Sequence, residues 1–280
     1  MAQWVKFLSL KQSERNRALG LETDEEYRKR WISIRIIYFN GFLIYLAFGN
    51  ITTSAWPYLK SLDPEATKTF LSYVFGIPSV MQLVFAPGFG YWNNKLSSIR
   101  MPMLLFLVIY VIGNTLYAVL EEIPDHRRHY MLVSRAFVGI AFVCCAIYRA
   151  YVSTATTVAE RTKTMSYLAL AQAIGLLAGS VFQSLFALLG EEGYRVAGLF
   201  QLNMYTANGW ICVVLGVINI ILMMPGIFED QAIAVKEAMK GTGMATSKDV
   251  YKSLKLQYLA TFLMVLAFGL LMFVYSAYQT

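Results

Sequence analysis

Acidic side chains are missing from every long apolar run in this sequence. All seventeen Asp and Glu residues fall in the N-terminal tail, in loops or at run ends. No buried carboxylate is therefore on offer as a proton relay, nor paired carboxylates for acid–base catalysis. Charge of either sign is scarce, 15% of residues where a soluble domain carries about 25%. Cysteine is scarcer: Cys144, Cys145 and Cys212 all lie inside apolar runs, which excludes a disulfide framework and fits small packed hydrophobes. There is no cluster of metal ligands, no phosphate-binding glycine loop and no catalytic constellation. No cofactor, no metal and no enzymatic activity are expected. No cleavable leader is expected either, because the first 31 residues are polar and charged.

What is abundant is apolar surface. Hydrophobic residues make up 57% of the chain, and mean hydropathy is +0.50. They gather in blocks of about 20 residues, the length that crosses a hydrocarbon core about 30 Å thick. These blocks do not alternate apolar and polar, so they read as helices and not barrel strands. Seven spans are predicted: Ile32–Ala55, Phe70–Trp92, Met101–Leu120, Tyr130–Thr154, Met165–Leu189, Asn208–Met224 and Leu256–Tyr278. The fold class is an all-α membrane protein. Residues 1–31 form a tail, 32–225 a six-helix bundle, 226–255 a solvated linker, and 256–280 a seventh transmembrane helix.

The formal charge of +7 serves topology, and no nucleic-acid partner is expected. Sixteen of the 24 Lys and Arg residues lie on the side of the N-terminal tail and five on the other side, while Arg35, Arg135 and Arg149 lie within spans. Positive loops stay cytoplasmic, so the N-terminus is expected in the cytosol.

Intramembrane cations are expensive and are functional candidates by default. Arg149 follows Arg135 by fourteen positions, which on a regular helix puts it about 40° around the axis and about 21 Å further along. Gly139, Phe142, Ala146 and Ser153 share that stripe. An unpaired arginine facing a water-filled path attracts anions. The plainer alternatives are bundle packing for Arg135, snorkelling or pairing with Glu160 for Arg149, and an interfacial anchor for Arg35. Asn40, Gln82, Gln172 and Gln183 are further polar candidates for the pathway, with interhelical hydrogen bonding as the alternative. Gly175 and Gly179, four apart, suit close helix packing, as does Gly139. His126 and His129 share a loop with Asp125; they titrate in a useful range, but a solvated loop accounts for them. Asn50-Ile51-Thr52 is a glycosylation sequon at a span edge, where it is expected to go unused.

Three segments carry a family resemblance. Gly90-Tyr91-Trp92-Asn93-Asn94-Lys95-Leu96-Ser97-Ser98 resembles the loop signature between helices two and three of the major facilitator superfamily. Gly90 and Lys95 match it, whereas Asn94 replaces its Asp and Ser97 its second Gly. Arg135-Ala136-Phe137-Val138-Gly139 is similar to the superfamily's Arg-x-x-x-Gly motif on helix four, with Glu160-Arg161 following. Gly175 to Ser180 resembles the helix-five pattern, with Ser180 in place of proline. Six helices, a long linker and another helix is the plan of such carriers, in which each half is a six-helix bundle. The resemblance implies the N-terminal bundle of a transporter. Leu21 to Tyr27, Trp56-Pro57-Tyr58-Leu59 and Gln201 to Thr206 further resemble a branch of the superfamily found in lysosomal and late endosomal membranes. That likeness implies a small solute or anion as substrate, chloride being the suspected ion. An acidic dileucine sorting signal is not evident, since Glu14 is followed by Ala18-Leu19.

Besides membrane lipid and the solute, the expected partner is a missing C-terminal half or a second copy of the chain. Three functions stay open: a carrier working by alternating access, a channel-like anion pathway in the same fold, and a truncated interaction subunit.

Overall fold

The structure is a computed structural model that describes residues 12–95, 98–186, 193–196 and 200–242, together with 188 and 190. The expected seventh span, Leu256–Tyr278, lies outside the described residues. Two compact units divide between Ala234 and Val235, and the first of them holds the helical bundle.

A short helix α1 (Gln12–Ala18) precedes the long α2 (Asp24–Leu62). Thr23 starts α2 with a capping box: its hydroxyl accepts from the Glu26 N–H, and the Glu26 carboxylate accepts from the Thr23 N–H. Asp24, Glu25 and Glu26 in the first turn complement the helix dipole. At 39 residues α2 is about 58 Å long, so it extends well beyond an apolar core about 30 Å thick. It starts before the predicted first span and ends after it, because the cap lies well upstream of the first apolar stretch.

Then come α3 (Lys68–Lys95), α4 (Arg100–Ala118), a 3₁₀ turn at Leu120–Glu122, α5 (Arg127–Ala141), α6 (Cys144–Thr154) and α7 (Val158–Phe186). Tyr194–Val196 and Phe200–Leu202 form a short antiparallel ribbon, β1 and β2. From sequence that stretch reads as loop, since three-residue strands carry too few positions to show a period of two. Helix α8 (Thr206–Leu222) and α9 (Ile233–Thr242) complete the described elements. Among the described residues, five helical segments are long and apolar enough to cross a membrane, counting α5 and α6 as one, and α8 is a shorter apolar helix. This is a multi-pass, all-α membrane protein.

Helix α2 is the axis of the bundle: α7 packs along most of its length, with α8 and α6 against it as well. The α2–α7 approach is set by glycine. A Cβ on Gly175 would strike the Phe42 carbonyl, and one on Gly179 the Leu46 carbonyl. Small residues let two backbones approach within a membrane, where van der Waals contact drives helix association. Helix α4 packs against both α5 and α8, and α3 rests on α5.

Two apolar layers fill the interior. One, towards the N-terminal side, joins Ile34, Ile37, Phe106, Tyr148, Tyr151 and Phe228. The other joins Ala47, Tyr58, Tyr117, Met131 and Cys212. The residues after Pro225 begin docked on the bundle, although in sequence they read as solvated. Phe228 is fully buried, its carbonyl accepts a close hydrogen bond from Arg100, and Asp230 accepts from the Ile99 N–H at 2.7 Å. Helices α3 and α7 stay largely uncovered: 6% and 22% of their apolar windows are buried, against 61% for α2.

Candidate solute pathway

The predicted fourth span is two helices. Helix α5 ends at Ala141 and α6 begins at Cys144. Through the junction the backbone tightens: Val143 bonds to the Ile140 carbonyl and Cys145 to that of Phe142, a 3₁₀ pattern that over-winds the chain. From α3, the Gln82 amide donates to the Phe142 carbonyl at 3.3 Å. Polar side chains stabilise such breaks by meeting the carbonyls a regular helix would use. The 40° relation between Arg135 and Arg149, which presumes one regular helix, therefore does not describe these two residues.

They sit in different surroundings. Arg135 is 7% exposed, with its guanidinium carbon 4.3 Å from the centre of the Tyr117 ring. Its Nε lies 3.4 Å from the Ser134 hydroxyl, and Nη2 has no hydrogen-bond partner among the described residues. Tyr117, Cys212, Tyr110 and Tyr58 are its electrostatic neighbours. Aromatic faces replace a carboxylate as the counter-charge, an attraction that strengthens without water. Behind Tyr117 the stack continues: Tyr58 meets it edge-on at 5.1 Å and lies flat on Tyr205 at 5.1 Å.

Arg149 is exposed and takes part in no ion pair or hydrogen bond among the described residues. Tyr45 of α2 is close enough to feel its charge. Tyr45 and Phe48 both pack edge-on against Phe142, at 6.3 and 5.3 Å. Tyr45, Phe48 and Gln82 thus meet Phe142 at the junction, and Arg149 lies seven residues further along, about 10 Å by helical rise. Glu160, the alternative partner for Arg149, is taken elsewhere.

Other candidates are scattered. Asn40 is fully buried, with neither end of its amide bonded among the described residues. Gln172 is buried over Gly41, between α2 and α7. Gln183 sits half-buried near the end of α7. Gly139 presses on the backbone of Pro78, where α5 crosses α3. Gly90 lies in the exposed last turns of α3; Asn94 and Lys95 close that helix, and their side chains lie outside the described residues, as does Ser97.

A charge cluster on the N-terminal side stands apart from all these candidates and is not foreseen in the sequence. Arg30, ahead of the first apolar run, is fully buried and donates Nε and Nη2 to Glu22 at 2.8 and 2.7 Å. Its Nη1 reaches Glu160 at 3.0 Å and the Ala155 carbonyl at 2.9 Å. Asn16 also donates to Glu22. Burial works to lower the Arg30 pKa, and the bonds to both carboxylates outweigh it, so the value is raised. The cluster ties the tail and the start of α2 to the start of α7. Its one sequence signal is Glu22 standing beside a capping box.

On the opposite side, Glu121 accepts from the Asn203 amide through both oxygens, at 2.7 and 2.9 Å. Burial raises its pKa, with Asn203 and Arg127 working against that. Arg128 pairs with Asp63 at 2.9 Å. His126, at φ 57°, caps α5, and His129 meets Phe70 edge-on.

Residues 37–280 match the family profile of the Major Facilitator Superfamily. The chain is 37% identical over 214 residues to Major facilitator superfamily domain-containing protein 8 of Xenopus laevis. The matched region covers 76% of this chain and 42% of that relative, so the chain spans less than half the relative's length.

Proposed function

Because this chain belongs to the major facilitator superfamily, we propose that it is the N-terminal half of a carrier. It moves a small solute or anion across an endolysosomal membrane, with its N-terminus in the cytosol. The relative's name supports a facilitator-type protein, and the excess of Lys and Arg on the tail's side supports the orientation. Location in an endolysosomal membrane follows from the resemblance of the tail and of residues 201–206.

The observation that carries the reading is Arg149. It is an exposed cation within an apolar helical segment, two turns past a helix junction where Gln82 donates to the Phe142 carbonyl. Interrupted helices that free polar groups are how membrane carriers build solute sites. A cation kept without a carboxylate partner favours an anionic solute.

A channel-like anion pathway is the second reading. It is favoured because Arg135 also lacks a carboxylate partner among the described residues. Proteoliposome flux separates the two. Saturable chloride or organic-anion uptake, stimulated by counter-anion inside, marks a carrier, while ohmic current marks a channel. On either reading Arg149→Gln lowers anion flux at least tenfold and Arg149→Lys restores part of it. Unchanged flux in Arg149→Gln would remove this residue from the pathway. The side chain is exposed, so the variant keeps its fold.

A further inference from the structure

A groove of about 590 Å³ opens on the N-terminal side, between the start of α2 and the start of α7. Three cations line it: Arg28 and Arg35 from α2, and Lys163 from α7. Arg28 and Arg35 are seven residues apart, two helical turns, so they project from one face with about 10 Å of rise between them. Neither forms an ion pair or hydrogen bond among the described residues, and both are exposed. Lys163 has one described contact, its ammonium 5.8 Å from the Tyr167 ring centre.

The wall between these cations is aromatic and held in place. Tyr27 and Trp31 lie 6.1 Å apart, and the Arg30 guanidinium sits over both rings, 5.2 and 5.7 Å from their centres. Arg30 is itself locked by Glu22 and Glu160. Tyr167 rests edge-on against Tyr38 at 6.4 Å. Glu160, the sole carboxylate in the lining, has its charge occupied by Arg30 and by the Thr157 hydroxyl and N–H. Among the described residues, none of the three cations in the groove has a carboxylate ion-pair partner.

Its depth in the membrane is set by sequence. Trp31 and Ile32 open the first apolar run, so Trp31 sits at headgroup level, where amphipathic rings concentrate. Arg35 lies one turn inside and can reach back to the phosphate plane through its long stem. Basic pockets between spanning helices, with an aromatic rim, suit phosphorylated headgroups.

We propose that this groove binds the headgroup of an anionic lipid bearing a phosphomonoester, from the leaflet on the N-terminal side. Arg28, Arg35 and Lys163 share the phosphate charges. Trp31, Tyr27 and Tyr167 flank the ring or glycerol, and Ile32 meets the upper acyl chain. Carriage of solute is not required for this binding.

The test is native mass spectrometry of the full chain in detergent, titrated with phosphatidylinositol 4-phosphate. Phosphatidylserine and phosphatidylcholine serve as comparison lipids. One phosphoinositide is retained per chain, in preference to either. Affinity falls about fivefold for each of Arg28→Gln, Arg35→Gln and Lys163→Gln, and on the order of a hundredfold for the triple variant. Arg35→Lys keeps most of the binding, and Lys68→Gln, on the opposite side, keeps all of it. All three targets are exposed, and unchanged helical circular dichroism shows that the variants fold. Wild-type retention in the triple variant overturns the proposal. So does displacement of the lipid by low-millimolar inorganic phosphate, which would assign the groove to a soluble anion.

Discussion

Arg30 has its full hydrogen-bonding fork committed in a buried site. Its side chain and those of its two carboxylate partners are 0%, 3% and 7% exposed. Removing the cation strands both carboxylates in a low-dielectric site, which costs about 3–5 kcal/mol for a buried pair. Arg30→Ala should therefore lower the thermal unfolding midpoint in detergent far more than Arg28→Ala, whose target is exposed. Equal midpoints would mean that water enters and solvates Glu22 and Glu160. Arg30→Lys should recover only part of the loss, because an ammonium cannot span both carboxylates in the plane that the guanidinium uses. Such a cluster was beyond the reach of sequence reasoning: residues 22, 30 and 160 meet only once α2 and α7 have paired. The same holds for Arg135. Its motif was legible, but the tyrosines that surround it come from α2 and α4.

At the scale of elements, the α2–α7 contact is the most exacting. Gly175 and Gly179 were legible from their spacing as packing residues, but their partner helix was not. The structure sets them against Phe42 and Leu46 of α2. A leucine at Gly179 would have to push the Leu46 carbonyl away, and overpacking of this kind costs about 1–3 kcal/mol. Gly179→Leu should lower the melting temperature and loosen the bundle, whereas Gly90→Leu, at a site with open space, should do neither. A melt in detergent, with size-exclusion profiles, reads both. The break between α5 and α6 was not legible at all. Residues 142 and 143 are Phe and Val, with no Gly or Pro there to announce a stop. What marks the junction comes from other helices: Gln82 bonds to the Phe142 carbonyl, and Tyr45 and Phe48 pack on the Phe142 ring. Hence the even arginine stripe expected of a straight fourth span gives way to a buried Arg135 and an exposed Arg149.

For the whole molecule, the positive-inside count makes a direct claim about sidedness. Glu14→Cys, in the tail, should react with a membrane-impermeant maleimide only from the cytosolic side. Glu65→Cys, between α2 and α3, should react only from the other side. The native thiols of Cys144, Cys145 and Cys212 are buried and leave the background low. Reversed labelling would invert the topology, though not the fold. Among the described residues, two faces of the bundle, on α3 and α7, stay largely uncovered, which is consistent with a family whose carriers pair two bundles. The sequence by itself determined the membrane class, the family and the apolar spans that fall within the described residues, because transfer of apolar runs into a bilayer and motif residues are local features of the chain. The tertiary structure alone decided which cations are paired with carboxylates and which, among the described residues, are not. Charge compensation is a contact property, and Arg30, Arg135, Arg149 and the Arg28–Arg35–Lys163 groove differ only in what other helices bring beside them.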